Sequence, residues 1–173
     1  MVTIREEKLS DAVAREALLD EAYGSDRFTK TSARLREGRL PAAGLSLVAV
    51  HHGRLAGTVR LWHVTAGPGR AALLLGPLAV HPQHRNRGIG ATLTRRAIAR
   101  ARLAGHHAIL LVGDAAYYGR FGFTAASTGE LWMPVVFSAS GSFRSSFDQA
   151  RSPEREGSSP RPVGSSRSPT STG

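Results

Sequence analysis

A chain of 173 residues, 41% of them hydrophobic, has room for one domain with a packed core. It holds no cysteine, which excludes disulfides, thiolate nucleophiles and cysteine zinc sites. The formal net charge of +10 is unevenly placed: no carboxylate lies between Glu37 and Asp114, while every charged residue from Arg39 to Arg102 is an arginine. Such a field favours a phosphate-bearing small molecule or a nucleic acid, and a solvated basic face would produce it equally well.

Along the chain, Val2 to Arg5 alternates and predicts a first strand. The start, Met1 to Asp11, has no apolar run and no stretch approaches a membrane span, so a cytoplasmic location is the expectation. Ser10 or Asp11 can cap a helix with Val13, Ala17, Leu18 and Ala22 on its apolar face and Gly24 at its end. Thr29 to Glu37 reads as a short second helix stopped by Gly38 and Pro41. Leu45 to His51 and Leu55 to Val64 flank a hairpin turn at His52-Gly53-Arg54. Ala71 to Val80 is the next strand, and Pro77 within it predicts a bulge or local loss of pairing. Ile89, Leu93, Ala97, Ala101 and Ala104 form one helical stripe with Arg95 and Arg102 opposite, stopped by Gly105. Ala108 to Val112 is short and apolar enough for a buried strand parallel to the one ending at Val80. Residues 71 to 112 thus read as strand, loop, helix, strand, an α/β unit.

The loop in that unit is Arg85-Asn86-Arg87-Gly88-Ile89-Gly90. A strand leading through a basic glycine loop into a helix aims backbone N–H groups and the positive helix end at an anion. Two familiar nucleotide loops do not fit: a dinucleotide fingerprint needs glycine where Leu93 stands, and no Gly-Lys-Ser/Thr occurs. With Gly76-Pro77-Leu78-Ala79-Val80 before it and Tyr117-Tyr118-Gly119-Arg120-Phe121-Gly122-Phe123 after it, the chain resembles the GNAT superfamily of N-acetyltransferases over about residues 2 to 134. Within that superfamily it resembles the YhbS-like branch.

The resemblance implies a mixed α/β fold: a central twisted, mostly antiparallel sheet with one splayed parallel strand pair and flanking helices. It implies acetyl-coenzyme A as co-substrate, with Leu78, Ala79 and Val80 along the pantetheine arm and Arg85, Asn86, Arg87, Gly88, Ile89, Gly90 and Ala91 around the pyrophosphate. It implies Tyr118 as the general acid. A phenol of pKa about 10 can protonate a thiolate whose conjugate acid has a pKa of about 8.5. Tyr117 is expected to pack, and either tyrosine could instead be a core residue.

Many relatives offer a glutamate before the phosphate loop, and this chain has none there, leaving water, His63 or His81 as base. An ε-amine of pKa about 10.4 is neutral in roughly one molecule in 2,500 at pH 7, an α-amine near 7.7 in roughly one in six. Low-pKa amines are therefore the easier acceptors. The histidine doublets lack metal-ligand spacing, so no metal is expected, and the Gly-x-Ser-x-Gly elbow of hydrolases is missing. No aromatic residue lies between His63 and Tyr117, so the basic segment offers nucleic acid no stacking platform. A coenzyme A binding remnant without turnover is the other alternative. The segments expected to shape the acceptor pocket, about Tyr23 to Pro41 and the region after Phe123, carry no readable specificity element.

After Met133-Pro134 the composition turns to serine, proline, glycine and arginine. Residues 1 to 137 are therefore expected to form the domain and 138 to 173 a disordered tail. Residues 141 to 157, back-translated with GC-rich codons and read two bases later, can yield an alternating strand and a turn. A shifted reading frame is one account of the tail, and it would leave the fold without its native closing strand.

Overall fold

The computed structural model describes residues 1–29, 31–124 and 137–139. The strands are β1 (Val2–Glu6), β2 (Pro41–His51), β3 (Arg54–Thr65), β4 (Ala71–Val80), β5 (Ile109–Leu111), β6 (Phe123–Thr124) and β7 (Phe137–Ala139). The helices are α1 (Ala12–Tyr23), α2 (Thr31–Arg34), α3 (Ile89–Leu103) and α4 (Ala115–Gly119). One sheet in the order β1-β2-β3-β4-β5-β7-β6 collects all seven strands. Every pairing is antiparallel except β4 with β5. This is the mixed, mostly antiparallel sheet that the resemblance implies. No helix among the described residues is long and apolar enough to cross a membrane.

The β2–β3 hairpin closes through His52 and Gly53, both at positive φ (47° and 75°), the twist that two-residue hairpin turns favour. Pro41 opens β2 instead of merely ending a helix, and the second helix shrinks to the single turn of α2. Behind β2 and β3 lies α3, with Leu93, Ala97 and Ala101 fully buried. Gly57 permits that approach: a Cβ there would stand 3.0 Å from Leu93 Cδ1 and 3.1 Å from Ile89 Cγ2. Truncating Leu93 would cost about 2–5 kcal/mol. Ala104, expected on the stripe, is instead the exposed cap residue after the helix.

On the other face, α1 departs from the sequence expectation. Its buried stripe is Arg15, Leu18, Leu19 and half-buried Ala22, whereas Val13 is 84% exposed and Ala17 is exposed too. Hydrophobic spacing alone misses this stripe because its first member is charged. Glu7, at the end of β1, holds Arg15 on one side and Arg60 of β3 on the other, and all three side chains are largely buried. Leu18 and Leu19 then pack on Ala79 of β4, so α1 and the segment after it are anchored over the C-terminal half of that strand.

The strand β7 pairs with β5 and β6 two residues past the expected domain boundary at residue 137. This strand precedes residues 141 to 157, the segment in which the native closing strand was expected to be lost. The disordered tail and the shifted frame, expected over residues 138 to 173, otherwise lie outside the described residues.

Candidate active site

Pro77 sits in a bulge of β4. Val59 pairs with Leu78 and Leu61 with Leu75, so the single residue Arg60 faces both Gly76 and Pro77. A bulge exchanges which residues point to which neighbour. Before it, the Leu73 N–H donates to Ala108 O at 2.9 Å, so Leu73 and Leu75 face β5. After it, the His81 N–H donates to Ala56 O at 3.0 Å, so His81 and Ala79 face β3 and the backbone groups of Leu78 and Val80 face the other way. Pairing with β5 stops at Leu75 and Leu111. Leu78 and Val80 therefore face a gap, where the Tyr23 hydroxyl donates to the Leu78 carbonyl and Arg85 Nε to the Val80 carbonyl at 3.5 Å. Of the three β4 residues singled out from the sequence, Ala79 is not brought to this gap; its side chain is buried under α1.

The gap leads to the N-terminus of α3. Asn86 and Gly88 adopt left-handed φ values of 61° and 74°, turning the chain sharply into the helix. No side chain caps that end and no acid occupies the first turn. The first helical bond is Thr92 N–H to Gly88 O at 2.9 Å, which leaves the N–H groups of Ile89, Gly90 and Ala91 without intrahelical acceptors. Arg85, Asn86 and Arg87 are exposed around them, whereas the Ile89 side chain is buried in the core. A Cβ at Gly90 would lie 3.0 Å from the Tyr117 hydroxyl, so Tyr117 closes over the start of the helix.

Tyr118 points elsewhere. Asp114 caps α4 by accepting from the Tyr117 N–H at 2.5 Å, and the next residue turns its ring onto Gly113 and the main core cluster. Burial, reinforced by neighbouring Tyr23 and Tyr117, raises the Tyr118 phenol well above its ordinary pKa. Burial raises Tyr23 as well, opposed by Arg36, by the Leu78 hydrogen bond and by Arg85. Both phenols stand protonated along a cleft of about 700 Å³ whose sheet-side wall is Leu74 to Leu78, Val112 and Tyr118. Its opposite wall comes from α1, the segment to α2 and the turn after it, including Tyr23, Phe28, Arg36 and Glu37.

Neither histidine proposed as base lines this cleft. His63 stacks near His106 at 5.5 Å, and His81 Nε2 turns to Glu21 at 3.5 Å. Among the described residues the lining carboxylates are Glu16, already held by Arg15 and Arg27, and exposed Glu37. Tyr23, Arg36 and Glu37 fall in the segment expected to shape the acceptor pocket, although no motif singled them out, whereas Glu16 of α1 and Trp62 of β3 were missed. Among the described residues no group of three or more His, Asp or Glu side chains could hold a metal ion.

The model of the acetyltransferase (GNAT) family matches residues 12–123, a span that includes the bulged strand, the splayed parallel pair and the uncapped helix start. The chain belongs to the GNAT acetyltransferase family. This GNAT chain is 32% identical over 117 residues to an uncharacterized N-acetyltransferase of Escherichia coli, YjhQ, covering 66% of its own length and 65% of that relative's. Its fold matches a GNAT acetyltransferase from Brucella melitensis solved in complex with acetyl-CoA, at a TM-score of 0.63 and 29% identity over 83% of this chain and 97% of the other. It also matches the Escherichia coli N-acetyltransferase YhbS solved with CoA, at a TM-score of 0.63 and 32% identity over 73% of this chain and 70% of the other.

Proposed function

We propose that this chain transfers an acetyl group from acetyl-coenzyme A directly to a primary amine of a small molecule or peptide. The observation that carries the reading is the continuity of the gap. The backbone face of Leu78 and Val80, among the described residues paired with no strand and held only by Tyr23 and Arg85 side chains, opens at one end on Tyr118 and the cleft, and at the other on the uncapped start of α3. The co-substrate's chemistry fits these donors, since a pantetheine arm carries amides that pair like a strand and a pyrophosphate suits an N-terminal helix turn. Glycine at Gly88 and Gly90 keeps side chains out of that approach. The two solved relatives named above carry this class of molecule.

When bound, acetyl-coenzyme A supplies an activated acyl group with a thiol as leaving group. In this reading Leu78 and Val80 align the arm, and Arg85 to Ala91 hold the pyrophosphate by backbone N–H groups and the exposed Arg85, Asn86 and Arg87 side chains. The neutral amine forms the C–N bond, the C–S bond breaks, and its electron pair leaves on sulfur. Sulfur takes the Tyr118 proton, the new amide gives one proton to water in the cleft, and Tyr118 recovers a proton from solvent. Tyr118 is protonated through neutral pH, as a proton donor must be, and burial makes it a weaker acid than an exposed phenol.

The test is thiol release by the purified chain with acetyl-coenzyme A and a panel of amines, after thermal-shift measurement with acetyl-coenzyme A alone. Stabilisation by acetyl-coenzyme A and release that depends on an amine support the reading. Absence of any stabilisation would overturn it.

A further inference from the structure

We propose that the acceptor amine carries an oxyanion, a carboxylate or phosphate within a few bonds of the nitrogen, and that Arg36 binds it. The proposal rests on the acetyltransferase reading and adds the class of acceptor.

Among the described residues, four arginines and two glutamates line the cleft. Three of the arginines are accounted for. Arg60 is held by Glu7 at 2.8 Å, Arg27 by Asp20 at 2.7 Å and by Glu16, and Arg34 is exposed to solvent. Arg36 is half-buried, and among the described residues no carboxylate and no hydrogen-bond acceptor holds its guanidinium. It lies 5.9 Å from the Trp62 ring and beside Gly76, where a Cβ would stand 3.6 Å from its Nη1. Burial pushes its pKa down and Arg27 adds like charge. A planar fork of five donors in a partly desolvated wall is the group that carboxylates and phosphates pair with through two parallel hydrogen bonds.

Its place along β4 separates this anion from those of the co-substrate. Gly76 opens the bulge, and the phosphate loop follows Val80, four residues or about 13 Å further along the strand. Arg36 thus lines the cleft that Tyr118 also lines, at the Gly76 end of the gap and away from the phosphate loop, the end left for an acceptor. Gly76, at φ 132° and without a side chain, leaves the space that the guanidinium and its partner need. Because that space adjoins the reacting end, the anion and the amine of the acceptor must lie close together.

The experiment uses the full chain, acetyl-coenzyme A and two matched pairs: phenylalanine against phenylalaninamide for a carboxylate, and phosphoethanolamine against ethanolamine for a phosphate. The amide's amine loses its proton more readily, so a preference for phenylalanine runs against intrinsic reactivity and reports recognition. In at least one pair kcat/KM should favour the charged member by about 10- to 100-fold, the usual range for a charge-assisted hydrogen bond. Arg36→Gln should bring that ratio close to one, and Arg36→Lys should restore part of it. Wild-type preference for the neutral member of both pairs, or an unchanged ratio in Arg36→Gln, overturns the proposal. If none of the four is acetylated, N-acetylphenylalanine and N-acetylphenylalaninamide are titrated onto the chain saturated with coenzyme A. A larger melting shift from the carboxylate, lost in Arg36→Gln, then supports it, and equal or absent shifts overturn it. Failure of coenzyme A itself to stabilise the wild-type chain would sink the acetyltransferase reading instead.

Discussion

The ring of Tyr118 lies against Gly113 so closely that a Cβ there would stand 2.4 Å from Tyr118 Cε2. The glycine at the end of the β5 segment thus sets where the phenol points. Gly113→Ala should push the ring out of place and lower kcat by at least about tenfold, while acetyl-coenzyme A still stabilises the protein, because the phosphate loop is untouched. Gly119→Ala, with open space around the added methyl, is the control. Equal turnover in the two variants would mean that the ring position does not matter for transfer.

The pH profile should carry one limb. Burial raises the Tyr118 pKa, so the hydroxyl keeps its proton at neutral pH and through the usual phenol range near 10. Turnover should rise with pH as the acceptor amine loses its proton and then stay level to at least about pH 9.5. A falling limb centred below pH 9, absent from Tyr118→Phe, would show the phenol ionising too early to serve as the proton donor.

Acid should weaken the fold through Asp11. Its carboxyl accepts from Arg5 at 2.7 and 2.9 Å and from the Lys8 N–H at 2.7 Å, and the Arg5 hydrogen bonds lead in lowering its pKa to about 2. A pKa depressed in the folded state contributes stability above the ordinary value of 3.8 that is lost as pH falls from there toward 2. Asp11→Asn should therefore melt earlier than wild type at pH 7, with the difference shrinking between pH 4 and 2. A constant difference across that window would assign the effect to packing instead.

At the start of α3, Gly88→Asp should weaken acetyl-coenzyme A binding more than it weakens the fold. An aspartate at an N-cap accepts from the second or third N–H of the helix, which here are Gly90 and Ala91, and it sets a negative charge against the pyrophosphate. Gly53→Asp alters a glycine of similar φ, 75° against 74°, in the distant hairpin. It should lower the melting temperature yet leave the acetyl-coenzyme A shift intact. Equal loss of that shift in both variants would remove the loop from the binding site.

Most of the fold was legible because its signals are local. Gly24, Gly53 and Gly105 mark ends and turns, α3 carries a regular apolar stripe, and Pro77 gives away the bulge that switches Leu78 and Val80 into the gap. The buried face of α1 was half legible: Leu18 and Ala22 were expected on it, but Arg15 is buried only through its pairing with Glu7, a tertiary contact that hydrophobic spacing does not encode. The acceptor side of the cleft escaped for a related reason. Tyr23, Glu37, Arg36 and Trp62 belong to separate elements, and only the docking of α1 and α2 over the bulge gathers them. His63 and His81 looked available as bases because a sequence does not tell which face of an element a side chain takes.

The account is tested most directly by measuring Tyr118→Phe beside the wild-type chain, with acetyl-coenzyme A binding by calorimetry and thiol release with an accepted amine. Loss of the proton donor should lower kcat by about 10²- to 10⁴-fold while the Kd for acetyl-coenzyme A stays that of the wild type. Wild-type turnover in Tyr118→Phe, or no acetyl-coenzyme A binding by either protein, would contradict it.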